Sequence, residues 1–246
     1  MERQNIIFGI RPIIEAIESG QEIEKVYVRK EAEGYLMNSL KEICTRKGIR
    51  MQFVPIEKLN YFTRANHQGA VAQIAPIEYA EISDIVADIP EDKIPLIMVC
   101  DGVTDVRNFG AIARSAACAG ADAIIIGIKN SAPVNADAIK TSAGALTTLP
   151  VCRVGSIRNT LKYLQAQGMQ LVASTEKGEK LLFETDLTKP SVIIMGSEDT
   201  GISKEVLKMC DARVAIPIVG PIESLNVSAA AAIMLFDAVR QRIELN

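Results

Sequence analysis

Five short apolar runs, LIMVC, AIIIG, QLVAS, VIIMG and RVAIP, ending near residues 100, 127, 174, 196 and 217, constrain the fold of this chain more than any other feature. Runs this apolar fit strands covered on both faces, and helical patterns lie between them, so the expected architecture from Leu96 onward is an α/β fold built on a mostly parallel sheet. Open sheets of that kind take ligands beyond the carboxyl ends of their strands. The segments that follow the runs are therefore where function is expected.

Three of those segments carry unusual polar content. The first, Asp101 to Gly120, opens a helix with Asn108 and Gly110 and presents Arg114 about one and a half turns in. It lacks the G-x-G-x-x-G pattern of a dinucleotide site. The second, Met195 to Ser203, sets Glu198 between Gly196 and Gly201 in a turn able to bring backbone N–H groups against a ligand. The third, Ile216 to Ser228, places a Ser224-Leu225-Asn226 loop directly before an alanine-rich helix. That helix repeats apolar residues at Val227, Ala230, Ala231, Met234, Leu235, Ala238 and Val239, a stripe of period 3.6 that predicts one buried face. Ser224 and Asn226 stand where an N-cap would satisfy free N–H groups, which is the structural alternative to a ligand role.

Residues 1–75 read as a separate small α/β unit: helices near Arg11 to Glu18 and Tyr35 to Lys47, strands at Lys25 to Val28, Arg50 to Val54 and Ala70 to Ile74. An acidic, proline-marked stretch at 76–94 is expected to link it to a second domain at 95–246. Composition narrows the classes of function. The five cysteines, Cys44, Cys100, Cys118, Cys152 and Cys210, contain no C-x-x-C pair, so neither a zinc site nor a disulfide framework is expected. His67 is the only histidine and no G-x-S-x-G elbow accompanies it, which disfavours a serine hydrolase and a histidine metal pair. With no long apolar stretch and no secretory pattern near its start, the chain reads as cytoplasmic, without a membrane partner. A net charge of −3 argues against nonspecific coating of nucleic acid, although Arg29, Lys30, Arg46, Lys47, Arg50 and Arg64 concentrate positive charge in the first quarter.

Taken in order and spacing, Asn108-x-Gly110-x-x-x-Arg114, Gly196-x-Glu198-x-x-Gly201, and Pro217 followed by Ser224-Leu225-Asn226-x-Ser228-x-Ala230 resemble the three motifs of the SpoU (TrmH-like) branch of the SPOUT RNA methyltransferases. The first domain, with FGIRPIIEAI near its start and NHQGAVAQIAP at its end, is similar to the L30e-type substrate-binding domain found in that family. The resemblance covers essentially the whole chain. It implies a trefoil-knotted parallel-sheet domain at the C-terminus, a homodimer with its catalytic site beside the knot at the subunit interface, and S-adenosylmethionine as cofactor without a metal.

The cofactor would be held around Met195, Gly196, Gly201, Ile216, Pro217, Leu225 and Asn226, mainly by main-chain groups. The catalytic set implied is Asn108, Arg114, Glu198, Ser224 and Asn226, acting on a ribose 2′-hydroxyl. The two-domain layout points to a guanosine of 23S ribosomal RNA; transfer RNA and a non-catalytic ribosome-binding role are the alternatives. Arg114 would be either the general base, as the family proposal has it, or a charged clamp on the target phosphate; a guanidinium normally stays protonated in proteins. Glu198 would orient Arg114 or a neighbouring amide. The Lys140 to Val151 segment, KTSAGALTTLPV, resembles a family loop beside the cofactor. In the first domain Arg64, Asn66, His67 and Gln68 are candidates for RNA contact, a polar turn closed by Gly69 being the alternative. Tyr27, Tyr35, Tyr61 and Phe62 are the nearby aromatic platforms.

Overall fold

A computed structural model describes residues 6–222 and 224–244, and divides the chain into two compact units, Met1–Glu78 and Tyr79–Asn246. The first contains β1 (Ile6–Phe8), α1 (Ile10–Glu18), β2 (Ile23–Arg29), α2 (Tyr35–Arg46), β3 (Arg50–Val54), α3 (Ile56–Phe62) and β4 (Ala70–Ile74). Its sheet runs β1-β4-β2-β3, with β2 and β3 parallel and the other pairs antiparallel. Alternation along β2 decides which side covers which: Val26 and Val28 point into a core with Ile13, Ile17, Met37 and Leu40, while Tyr27 points to the opposite cluster of Val54, Leu59 and Val71. Helices α1 and α2 thus cover one face and α3 the other.

The second unit contains α4 (Ile82–Asp88), β5 (Leu96–Asp101), α5 (Val106–Cys118), β6 (Ala123–Gly127), α6 (Ala136–Thr141), β7 (Val151–Val154), α7 (Ile157–Ala166), β8 (Gln170–Ser174), β9 (Lys180–Leu181), β10 (Ser191–Gly196), α8 (Lys204–Leu207), β11 (Ala212–Ala215) and α9 (Val227–Ile243). The five apolar runs are β5, β6, β8, β10 and β11. They join β7 and β9 in an all-parallel sheet of order β7-β6-β5-β10-β8-β11-β9. On β5, Ile97 and Val99 enter a core with Leu161, Leu164, Leu171 and Ile194, onto which α4 packs through Ile82 and Ile85. The alternate residues Leu96, Met98 and Cys100 are as deeply buried. Helices α5 and α9 lie against each other on the sheet, burying Phe109, Ile112, Met234 and Leu235. Covering on both faces is why these strands read as unbroken apolar runs.

The acidic stretch expected to be a linker belongs in part to this second unit, because the α4 side chains have an apolar face and the sheet offers a place to bury it. The buried thiols behave as small hydrophobes: burial pushes Cys100 and Cys152 up to about 12 and Cys44 and Cys210 up to about 11. Among the described residues no group of three or more histidines, cysteines and carboxylates is placed to hold a metal, and no helix is long and apolar enough to cross a membrane.

Candidate active site

Strand order places the site before any side chain is considered. Connections after β5 run outward through β6 to β7, whereas β10 and β8 lie on the other side of β5, so the order reverses at the β5/β10 pair. A crevice beyond the carboxyl ends of the strands at such a reversal is the general ligand position of open α/β sheets. The loops after β5 and β10 carry the first two polar segments.

Asp105 begins α5 as its N-cap, its Oδ1 accepting from the amides of Arg107 (2.9 Å) and Asn108 (2.8 Å). Gly110 then lets α5 touch α6: a Cβ there would stand 2.8 Å from the Cβ of Thr141 and 2.9 Å from the carbonyl oxygen of Ala138. After β10 the chain turns tightly over 197–201, with reciprocal backbone bonds between Ser197 and Gly201 of 3.2 and 3.0 Å. Gly196 is required because a Cβ would lie 2.2 Å from the backbone of Gly201 and Ile202, and Gly201 itself sits at φ +67°. Asp101, ending β5, accepts from the amide of Ser203 at 2.8 Å and ties the two loops together. The glycines of these motifs therefore have a backbone reason of their own.

Asn226 joins all three segments. Its Nδ2 donates to Oδ1 of Asn108 at 3.0 Å and to Oε1 of Glu198 at 2.7 Å, residues 118 and 28 positions away. Its Oδ1 accepts from the amide of Ser228 at 2.9 Å and from that residue's hydroxyl at 2.5 Å, capping α9. The amide orientation follows from the partners, since a carboxylate demands a donor and a backbone N–H an acceptor. With Nδ2 and Oδ1 both engaged, Asn226 ties the three segments together, and among the described residues Nδ2 of Asn108 and the second oxygen of Glu198 are the groups of this set without a hydrogen bond. The capping role and the site role are thus one arrangement.

Arg114 and Ser224 stand outside that network. Arg114 lies six residues beyond Asn108 on α5, roughly 240° around the helix, and it is exposed with no hydrogen bond or ion pair among the described residues. Ser224 is likewise exposed and without a hydrogen bond among them. Met195 is buried at the end of β10, Ile216 is half-buried, and Pro217 and Leu225 are exposed. One segment of the same strand ends escaped the sequence reading. The loop after β8 places Gly178 so close to β11 that a Cβ would lie 2.3 Å from the amide nitrogen of Ala215, and the amide of Thr175 donates to Val214. Its only sequence signal is a glycine among charged residues.

These loops suit S-adenosylmethionine. Gly196 and Gly178 let backbone approach backbone where a side chain would intrude, and the segment after β11 carries half-buried Ile216 and exposed Ile218 and Leu225 as apolar side chains that a flat base could meet. In the first unit, His67 is 8% exposed; its Nδ1 accepts from the amide of Gly69 at 3.0 Å, so Nε2 carries the hydrogen given to Oδ1 of Asn60, also at 3.0 Å. Both ring nitrogens are engaged, and His67 holds the turn. Gln68, at φ 52°, accepts from the amide of Ile10 through Oε1, while Arg64 and Asn66 are exposed. Tyr27 and Phe62 pack together at 4.6 Å, Tyr35 and Tyr61 are exposed, and Phe53 is a further exposed ring that the sequence reading passed over.

Comparison with known proteins agrees with this geometry. The sequence matches the family model described as SpoU rRNA Methylase family over residues 95–236, and that described as RNA 2′-O ribose methyltransferase substrate binding over 6–80. It is 37% identical over 245 residues to an uncharacterized tRNA/rRNA methyltransferase of Mycobacterium sp. (strain KMS), covering 98% of this chain and 78% of that one. It is 35% identical over 239 residues to the 23S rRNA (guanosine-2′-O-)-methyltransferase RlmB of Photorhabdus laumondii, covering 96% and 98%. Among solved structures it is similar to the SpoU methyltransferase AviRb from Streptomyces viridochromogenes in complex with AdoMet, with a TM-score of 0.62 and 26% identity over 97% of this chain and 90% of that one. A parallel sheet whose order reverses beside three linked polar loops, and two family matches that together span most of the sequence, lead to one assignment: the chain belongs to the SpoU rRNA methylase family, as an S-adenosylmethionine-dependent RNA 2′-O-methyltransferase.

Proposed function

We propose that this chain methylates the ribose 2′-oxygen of a guanosine in 23S ribosomal RNA, as a cytoplasmic homodimer whose C-terminal chain follows the knotted path of its family. The observation that carries the reading is the hydrogen-bonded set Asn108–Asn226–Glu198, which draws three distant segments to the reversal point of the sheet. Likeness to RlmB along nearly the full length of both chains supports the ribosomal substrate. Apolar side chains left uncovered on the second unit support a partner copy: Val219 is fully exposed, Ile222 is 70% and Phe236 47% exposed, and α9 presents Ile233 and Ile243 outward as well.

Met195, Gly196, Gly201, Ile216, Pro217, Leu225 and the backbone beside Asn226 would hold S-adenosylmethionine, which would supply an electrophilic methyl group on a sulfonium. The ribose oxygen has to lie in line with that methyl and its proton has to leave. In our reading Nδ2 of Asn108 donates to the ribose, the second oxygen of Glu198 accepts the departing proton, and Ser224 adds a hydroxyl on the approaching side. A guanidinium is a fixed cation in proteins, which favours Arg114 as a clamp on the target phosphate over Arg114 as a base. In the first unit Arg64, Asn66 and the free amide of Gln68 would meet RNA, with His67 holding their turn.

The test is transfer of labelled methyl from S-adenosylmethionine to protein-free 23S ribosomal RNA and to bulk transfer RNA, with nuclease mapping of the product. Labelling of 23S RNA at a 2′-O-methylguanosine supports the proposal. Labelling of transfer RNA alone overturns the substrate, and no labelling despite cofactor binding overturns turnover on free RNA.

A further inference from the structure

The close crossing of α5 and α6 at Gly110 and Thr141 has an open side. Toward the first turn of α5 the two helices part around a cleft of about 580 Å³, lined by Thr104, Asp105 and Arg107 from one wall and Asp137, Lys140 and Thr141 from the other. None of these six belongs to the three motifs, although Lys140 and Thr141 open the segment that resembles the family loop beside the cofactor, which is why cofactor affinity is read in the test below. The cleft is adjacent to the methyl-transfer site, because Arg107 immediately precedes Asn108, whose side chain lies in the Asn226–Glu198 cluster.

Its charges are suited to an anion. Neither the Arg107 guanidinium nor the Lys140 ammonium makes a hydrogen bond or ion pair among the described residues, and both side chains are exposed at the rim. Asp105 accepts two amides of the helix start through Oδ1, and among the described residues neither it nor Asp137, the other carboxylate of the lining, pairs with either cation. The carboxylates of Asp105 and Asp137 offset the two cations in net charge, so what favours an anion is that both cations are left unpaired, and that is enough for a single phosphodiester and too little for a polyphosphate. The hydroxyls of Thr104 and Thr141 add neutral donors and acceptors of the kind that meet sugar and base edges. A volume of this size lies within the small-ligand range and excludes a duplex, so the chain that enters it is single-stranded.

We infer that this cleft is an RNA subsite, holding the unpaired nucleotide next to the methylated one with its phosphodiester between Arg107 and Lys140. The inference rests on the RNA methyltransferase reading above. It gives the second unit an RNA grip of its own, independent of the first unit and of Arg114.

The test uses the full chain with the double variant Arg107→Ala/Lys140→Ala and the charge-conserving pair Arg107→Lys/Lys140→Arg. Binding of protein-free 23S ribosomal RNA is measured as a function of salt, alongside KM for RNA in methyl transfer, S-adenosylmethionine affinity and thermal midpoint. The alanine pair is expected to raise KM at least tenfold and to lower the slope of log affinity against log salt by about 1, the one phosphate held between the two cations. Cofactor affinity stays within twofold, and the charge-conserving pair recovers most of the loss. Unchanged KM and slope overturn the subsite. Cofactor affinity falling in step with RNA affinity also overturns it, by making the cleft part of the cofactor site. Should the wild type bind RNA yet transfer no methyl, the proposed function fails while the salt slopes still decide the cleft; a wild type that binds no RNA overturns both.

Discussion

The two ends of the seven-stranded sheet use polar side chains in opposite ways. Where the strands begin, polar groups are consumed by the backbone. Arg242 of α9 donates to the carbonyls of Leu187, Ile94, Pro95 and Lys189 at 2.9–3.0 Å. Asp122 accepts from the amide of Leu96 and pairs with Lys93, Asp211 accepts from the amide of Leu171, and Gln241 bridges Thr185 and Leu187. Where the strands end, Arg107, Lys140 and Ser224 are exposed and unpaired among the described residues, and apolar Val219 and Ile222 face outward. One helix, α9, takes part in both, with its cap in the site and its last turn at the opposite end. The contrast teaches that a parallel sheet can assign stability to one end and chemistry to the other, because every strand starts on the same side.

The sharpest challenge to that division is Arg114→Ala. Methyl transfer should fall by about 10–10²-fold, the loss of a charge-assisted contact of about 1.5–3 kcal/mol to the target phosphate, with the thermal midpoint unchanged. A drop in midpoint would place Arg114 among the stabilising residues and break the comparison. At the other end, Arg242→Met removes a half-buried charged donor from four carbonyls and should cost about 1.5–3 kcal/mol. In a thermal scan this reads as a midpoint lower by several degrees, with S-adenosylmethionine affinity preserved below the transition. An unchanged midpoint would mean that water replaces the guanidinium without loss.

Asn226 belongs to both categories and sharpens the contrast. Asn226→Asp keeps the oxygen that caps α9 but loses the donor to Asn108 and sets a second carboxylate against Glu198. Methyl transfer should fall at least tenfold for a stability change within about 1 kcal/mol, whereas Asn226→Ala should lose activity and also about 1 kcal/mol of helix capping. Equal stability losses in the two variants would refute the separation of roles. The smallest expected effect is at Ala143, held at φ 50° after α6. Ala143→Gly relieves a left-handed alanine and should stabilise by about 0.5 kcal/mol once the extra chain entropy of glycine is subtracted, measured by denaturant midpoint.

Legibility followed the strength of the local signal. The five strands were readable because burial leaves an apolar centre in each run, with polar residues such as Gln170, Ser174 and Arg213 confined to the ends. Strand β7 was missed because it has four residues, one of them Arg153, whose guanidinium lies over the Tyr79 ring at 4.0 Å, an environment that no periodicity reveals. Strands β1 and β9, with three and two residues, and the seven-residue α3 are too short to show a repeat. In the site, Gly110, Gly196 and Gly201 were legible as motif positions, while their reasons, a helix crossing and a tight turn, were not. His67 was grouped with RNA-facing residues because polarity cannot tell an outward ring from one turned in to hold Gly69 and Asn60.

The sequence by itself determined the five long apolar strands, the α/β class and the three polar segments, since these depend on neighbours within a few residues. Only the tertiary structure decided the strand order that brings the ends of β5 and β10 together, and with it the meeting of Asn108, Glu198 and Asn226. It also decided that Asn226, whose donor and acceptor are both engaged, organises the site, and that Arg114 stands clear of it. Those outcomes depend on contacts across as many as 118 residues, formed when burying one sheet on both faces fixes where every loop must lie.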